Sequence, residues 1–151
     1  MESKVNKHFC IQPFLNVTTR IRGQNNVCCN TDNTSSNITS ESPTEFFNSP
    51  YVKKMRQDLF DGKKLKECEL CHKQEKHHGI SQRQVYNKYY FIKDNQDTEY
   101  YHNTVKKLRF DQLDKPLYIE MHISNLCNLK CLTCGEKDSS QFHAENKILG
   151  V

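Results

Sequence analysis

Hydrophobic residues in this chain come in short groups separated by polar stretches, so its elements must be short. Between Phe9 and Cys29 the β-branched residues Val17, Thr18, Thr19 and Ile21 lie between the breaks Pro13 and Gly23, which predicts extended segments forming a small hairpin that turns near Gly23. Asn30 to Thr44 is almost wholly Asn, Thr, Ser, Asp and Glu and reads as a loop, since it cannot bury enough surface to offset the cost of ordering. Ser49 then offers an N-cap with Pro50 behind it, and Val52, Met55 and Leu59 share one helical face until Gly62, which predicts a helix over Pro50 to Phe60. A second helix is expected from about Glu67 to His77 or His78, closed by Gly79. A third runs to Ile92, started by a Ser81 and Gln84 capping box with Ile80 and Val85 spaced as a hydrophobic staple. Lys93 to Thr104 is polar and reads as a linker. Leu117, Tyr118, Ile119, Met121 and Ile123 then predict a strand buried on at least one face, followed by a cysteine-rich loop and a helix capped by Ser139 or Ser140 and ending near Leu149. The pattern as a whole is α+β.

Composition narrows this picture. The chain has 151 residues, 35% of them hydrophobic and 26% charged, with no Trp and a mean hydropathy of -0.86, so core-forming material is scarce. A complete α/β barrel, at about 250 residues, does not fit. No apolar run is long enough for a membrane span or a signal peptide. Eight cysteines are far more than packing requires. With no export signal, they are expected in a reducing cytoplasm, where thiols bind metals rather than form disulfides. The formal charge is +4. Its basic clusters (Lys53, Lys54 and Arg56; Lys63, Lys64 and Lys66; Lys106, Lys107 and Arg109) read as solvated helix faces rather than a nucleic-acid patch. The Asn-x-Ser/Thr triplets at Asn16, Asn33 and Asn37 follow from the abundance of these residues and carry no meaning without a secretory route.

Cys127-Asn-Leu-Lys-Cys131-Leu-Thr-Cys134 is a C-x3-C-x2-C triplet on the loop after a strand. Three thiolates so close can hold three irons of a cubane cluster and leave the fourth open to a substrate, whereas structural zinc sites close with four ligands. The whole segment from Pro116 to Gly135 resembles the first strand and cluster loop of the radical S-adenosylmethionine superfamily. That resemblance implies a 4Fe-4S cluster on Cys127, Cys131 and Cys134 whose open iron binds S-adenosylmethionine. It implies reductive cleavage to a 5'-deoxyadenosyl radical that abstracts hydrogen from a substrate, with an electron donor such as flavodoxin or ferredoxin. Thr133 departs from the pattern, which usually has an aromatic residue or Met there, packed against the adenine.

The remaining cysteines form a second set. Cys10-x12-Gly23-x4-Cys28 followed by Cys68-x2-Cys71 resembles the opening of a SPASM or twitch module, which carries an auxiliary iron–sulfur cluster. The resemblance implies Cys10, Cys28, Cys68 and Cys71 as ligands, with Cys29 adjacent to Cys28 as an open alternative and zinc as an alternative metal. Cys68 and Cys71 also make physical sense as a pair, sharing a face near a helix start where the dipole favours thiolates. Phe9-Cys10-x2-Pro13-Phe14, Asn48-Ser-Pro-Tyr51, Arg56, Gly62, Glu75, Ser81-x-Arg83-x3-Asn87 and Ser139-Ser140-Gln141 are similar to the group whose twitch domain precedes the barrel. The implied layout is a twitch-like domain over 1–110 with a linker at 93–110, then the start of a radical S-adenosylmethionine barrel over 111–151. Only 28 residues follow Ile123, so a truncated barrel without a competent active site of its own is expected, as in a fragment of a longer enzyme. A peptide or protein is the substrate class that such auxiliary modules suggest.

The other chemistry-bearing residues read more plainly. His72, His77, His78, His102, His122 and His143 are expected as surface or partly packed histidines, with His77 and His78 nearest the second cysteine set. Glu120 either faces the cofactor or makes a salt bridge. No Ser-His-Asp order, phosphate-binding glycine loop or paired-carboxylate spacing is present. The competing function class is a zinc-stabilised cysteine-rich interaction module without catalysis.

Overall fold

Three strands bring the two cysteine-bearing segments of the chain side by side. The computed structural model describes residues 6–31, 35–92, 113–136 and 138–150. In chain order the elements are α1 (Gln12–Leu15), β1 (Asn16–Thr19), β2 (Asn25–Asn26), α2 (Pro43–Phe47), α3 (Pro50–Phe60), a 3-10 turn (Lys66–Cys68), α4 (Glu69–His78), α5 (Gln82–Ile92), β3 (Tyr118–Met121) and α6 (Ser140–Leu149). The sheet order is β2-β1-β3, with β2 antiparallel and β3 parallel to the central strand. The fold is therefore mixed α+β. No helix among the described residues is long and apolar enough to cross a membrane.

The expected hairpin forms as β1 and β2. Gly23 turns it at φ +82°, where a side chain would also collide with Asn37, only 2.8 Å from the position a Cβ would take. The central strand is buried along its length although three of its four residues are polar. Side-chain hydrogen bonds make this tolerable: Asn16 donates to Thr18 Oγ1 at 3.0 Å, and Thr19 donates to Asn25 Oδ1 at 3.2 Å.

The polar stretch after Cys29 holds more order than its composition predicts. Asn25 Nδ2 donates to Ser36 Oγ and to the Glu41 carbonyl, and the Asn25 backbone N–H donates to the Ser36 carbonyl. Hydrogen bonding thus supplies what apolar burial cannot. The stretch ends in α2, a helix the polar composition hid. Ser42 and Glu45 form a full capping box, with Pro43 in the first turn. Phe46 and Phe47 from α2 join Val52, Met55 and Leu59 from α3, with Val17 and Val27, in the main core. Burial of each such side chain contributes roughly 1.5–3 kcal/mol.

α3, α4 and α5 lie where periodicity and caps put them. Ser49 accepts from the Val52 N–H, Gly79 closes α4 at φ +74°, and Ser81 and Gln84 exchange capping-box hydrogen bonds. The staple residues Ile80 and Val85 stay exposed. The strand near 117–123 forms as β3, half-buried on one face. Leu117, Ile119, Met121 and Ile123 are exposed, and Tyr118, Glu120 and His122 are the half-buried positions. The register explains this: pairing with β1 sets alternate residues inward, and here those are the polar ones. The linker at 93–110, His102 and the Lys106, Lys107 and Arg109 cluster lie outside the described residues.

Candidate metal centre

Five of the eight cysteines line one pocket: Cys10, Cys28, Cys29, Cys68 and Cys71. Its volume is about 340 Å3, including its open mouth. They arrive from separate stretches of chain, and each stretch is fixed by contacts that involve no cysteine sulfur. Arg83 on α5 donates to the Phe9 carbonyl at 2.8 Å, while Asn87 accepts from the Ile11 N–H and donates to the Phe9 carbonyl, so the backbone on both sides of Cys10 is clamped. Glu75 on α4 holds the Arg83 guanidinium at 2.6 and 3.0 Å and accepts from Ser81 Oγ at 2.6 Å. Cys71, Cys10 and the start of α5 are thereby tied into one unit.

Cys28 and Cys29 sit on a tight turn that closes at Thr31, whose N–H and Oγ1 both donate to the Cys28 carbonyl. Arg20 bridges the carbonyls of Cys29 and Thr31 from the outside. Arg56, fully buried on α3, ties α1 to α2: it donates to the Pro13 and Phe47 carbonyls at 2.7 Å and lies 4.0 Å over the Phe47 ring. Glu75, Ser81, Arg83 and Asn87, noted in the sequence for their resemblance, are thus the residues that clamp the chain around Cys10.

All eight cysteines are free. Burial raises the thiols of the pocket: Cys10 well above its ordinary range, Cys28 to about 11 and Cys68 to about 12, with neighbouring cysteines adding to the effect. Cys10 and Cys68 each feel Cys28, and Cys28 and Cys68 each feel Cys71. Cys29 is raised by burial and by Glu120, and lowered by Arg20. Cys71 raises it as well, as it does Cys28. Among the described residues no three His, Cys, Asp or Glu side chains are grouped so as to hold a metal ion.

Two further amides belong to this pocket and gave no signal in the sequence, because Gln and Asn are ordinarily surface residues. Asn30 Nδ2 donates to Cys71 Sγ at 3.4 Å. Gln12 is 3% exposed and lines the pocket. Its Oε1 accepts from the Tyr118 hydroxyl of β3 at 2.7 Å, and its Nε2 is buried without a partner.

The triplet Cys127, Cys131 and Cys134 lies on the loop between β3 and α6, with Cys131 exposed and the other two half-buried. The loop is held on the N-terminus of α6. Ser140 Oγ accepts from the Cys127 N–H and donates to its carbonyl, Ser139 Oγ donates to the Leu129 carbonyl, and the Cys134 N–H donates to the Cys131 carbonyl. Ser139 also caps the helix through the Gln141 N–H. The structure brings these three cysteines onto one loop but not into the five-cysteine pocket.

The histidines behave as ordinary residues. His77 and His78 are exposed at the end of α4 and do not line the pocket. His143 meets Glu136 at 2.6 Å, and His72 lies 3.6 Å from Glu75. Glu120 makes the salt bridge, to His122 Nε2 at 3.0 Å, and accepts from Thr18 Oγ1. No family model, curated protein or solved structure matches the chain.

Proposed function

We propose that the chain is an iron–sulfur protein of radical S-adenosylmethionine type, with an auxiliary cluster on Cys10, Cys28, Cys68 and Cys71 and a cofactor-binding cluster on Cys127, Cys131 and Cys134. The observation that carries the reading is the convergence of distant cysteines on one pocket beside the clamp of Arg83, Glu75 and Asn87. The donor set suits the group. Thiolates are the ligands of iron–sulfur clusters, and a cubane spreads its four sulfurs over four irons, whereas one zinc ion draws them to about 2.3 Å from a single centre. Five cysteines lining one cavity are the thiol-rich surroundings that such a cluster needs.

Cys28 is taken as the fourth ligand, with the adjacent Cys29 as the alternative. Burial raises the thiols of Cys10, Cys28 and Cys68, so loading a metal there would release protons. Asn30 and Arg83 present N–H donors and positive charge to the sulfur that becomes negative. At the second set, Ser139 and Ser140 hold the loop that carries the three thiols. Cys127, Cys131 and Cys134 would hold the cluster there, which when bound would supply the electron for reductive cleavage of S-adenosylmethionine into methionine and a hydrogen-abstracting 5'-deoxyadenosyl group, with a peptide or protein as the favoured substrate class.

Anaerobic reconstitution with ferrous iron and sulfide tests this. The expected product is brown, with two clusters per chain and an electron paramagnetic resonance signal that changes on adding S-adenosylmethionine. A colourless chain that takes up zinc in preference to iron and sulfide replaces this reading with that of a zinc-stabilised interaction module.

A further inference from the structure

We infer that Gln12 is a hydrogen-bond donor to a sulfur of the guest in the five-cysteine pocket, aimed there by the Tyr118 hydroxyl of β3. This deepens the iron–sulfur reading and rests on it. The Gln12 side chain is buried, and its oxygen is committed to Tyr118 at 2.7 Å, which fixes the amide plane and leaves Nε2 as the free end. That nitrogen has no partner. A buried donor left unpaired costs about 1–3 kcal/mol, and native chains rarely keep one without a use.

Gln12 lines the same pocket as Cys10, Cys28, Cys29, Cys68 and Cys71, so their sulfurs are among the acceptors around it. Neutral thiols are weak acceptors. Once the sulfurs carry negative charge, an amide N–H beside them becomes a charge-assisted donor. Asn30 already makes the equivalent contact to Cys71 Sγ at 3.4 Å, so the pocket uses amide-to-sulfur bonding elsewhere. Donors to the sulfurs stabilise the more negative, reduced state and are one of the levers on cluster potential. Tyr118 stands on the strand that runs into the Cys127 loop, so the same hydrogen bond couples the pocket to the strand carrying the second cysteine set.

The test uses the full chain with Cys127, Cys131 and Cys134 changed to Ala, so that only the pocket titrates. It is reconstituted anaerobically with ferrous iron and sulfide, then followed by redox titration and by iron release to a chelator. Gln12→Leu is expected to load iron like its parent, to show a midpoint potential shifted to more negative values, and to lose iron about tenfold faster, the effect of one charge-assisted hydrogen bond. Tyr118→Phe keeps the amide but frees its orientation and is expected to shift the potential in the same direction by less. Full loading of Gln12→Leu with unchanged potential and release overturns the inference and leaves the iron–sulfur reading standing. A parent that takes up no iron and sulfide overturns both. Should circular dichroism show Gln12→Leu unfolded, Tyr118→Phe decides: an unchanged potential there rejects the role of Gln12.

Discussion

Cys10 and Cys71 are each 6% exposed, held between α4, α5 and the start of α1, whereas Leu132, between Cys131 and Cys134, is fully exposed. The first set sits in a pocket whose walls are joined by buried hydrogen bonds and by the Glu75–Arg83 ion pair. The second sits on a loop fixed at its ends by two serines, beside a strand whose apolar residues face outward. One site is enclosed by buried walls, the other open to solvent on a loop.

On the proposed iron–sulfur reading, the largest effects come from removing the cysteines assigned as ligands, and they should separate the two sites cleanly. Cys71→Ala is expected to lose all iron at the pocket, about four atoms per chain, while the loop cluster survives; Cys131→Ala should do the reverse. Iron and acid-labile sulfide counts give the answer. On exposure to air, the loop cluster of the unaltered chain should bleach first. If the pocket cluster bleaches first, burial is not what distinguishes the sites.

Next in size is the clamp around Cys10. Arg83 is 5% exposed on its side chain and Glu75 19%. Arg83→Ala strands the partly buried Glu75 carboxylate, and is expected to destabilise the chain by about 3–5 kcal/mol in urea titration. Arg83→Lys should rescue little, since one ammonium cannot reproduce the fork that reaches Glu75 and Phe9 together. A loss under about 1 kcal/mol for Arg83→Ala would show that the pocket is held by its apolar packing instead.

Acid should loosen the same clamp. Burial alone would raise Glu75, but hydrogen bonds from Arg83 and Ser81 more than reverse this and hold its carboxyl below the ordinary 4.5. The folded chain therefore binds fewer protons than the unfolded chain. The stabilisation is present above about pH 4.5 and is lost as pH falls through the lower folded value. Urea midpoints for the unaltered chain should decline over that acidic window, and Glu75→Gln should be less stable at neutral pH with a flatter profile. Parallel profiles would mean that Glu75 does not titrate as a paired carboxylate.

Much of the scaffold was legible from the residues. The caps at Ser49, Ser81 and Ser139 and the glycines at Gly23 and Gly79 mark their turns because each chemistry is local. What escaped was non-local. α2 hid at the end of a polar stretch because its support is Phe46 and Phe47 packing on distant residues. Which face of β3 turns inward was not legible, because an apolar run gives a strand but not its register, which pairing with β1 decides. Cysteine spacing suggested two sets, and five of the eight thiols do share a pocket, but nothing in the spacing marks Gln12 or Asn30 as belonging there. Their place follows from where β3 and the Cys28 turn come to rest.

The smallest expected effect is the sharpest check on the contrast between the regions. Leu59 is fully buried in the α3 core and Ile123 is 83% exposed beyond β3. Leu59→Ala should cost about 2–5 kcal/mol, while Ile123→Ser and Leu132→Ser should stay within about 0.5 kcal/mol of the unaltered chain, because an exposed side chain has no packing to lose. Urea titration at several protein concentrations reads both quantities. A cost above about 1 kcal/mol for Ile123→Ser that grows with concentration would mean that the outward face of β3 is covered in solution by a second copy. The loop set would then stand in a partly built environment, and the difference between the two cysteine sites would be one of assembly rather than of chain-internal packing.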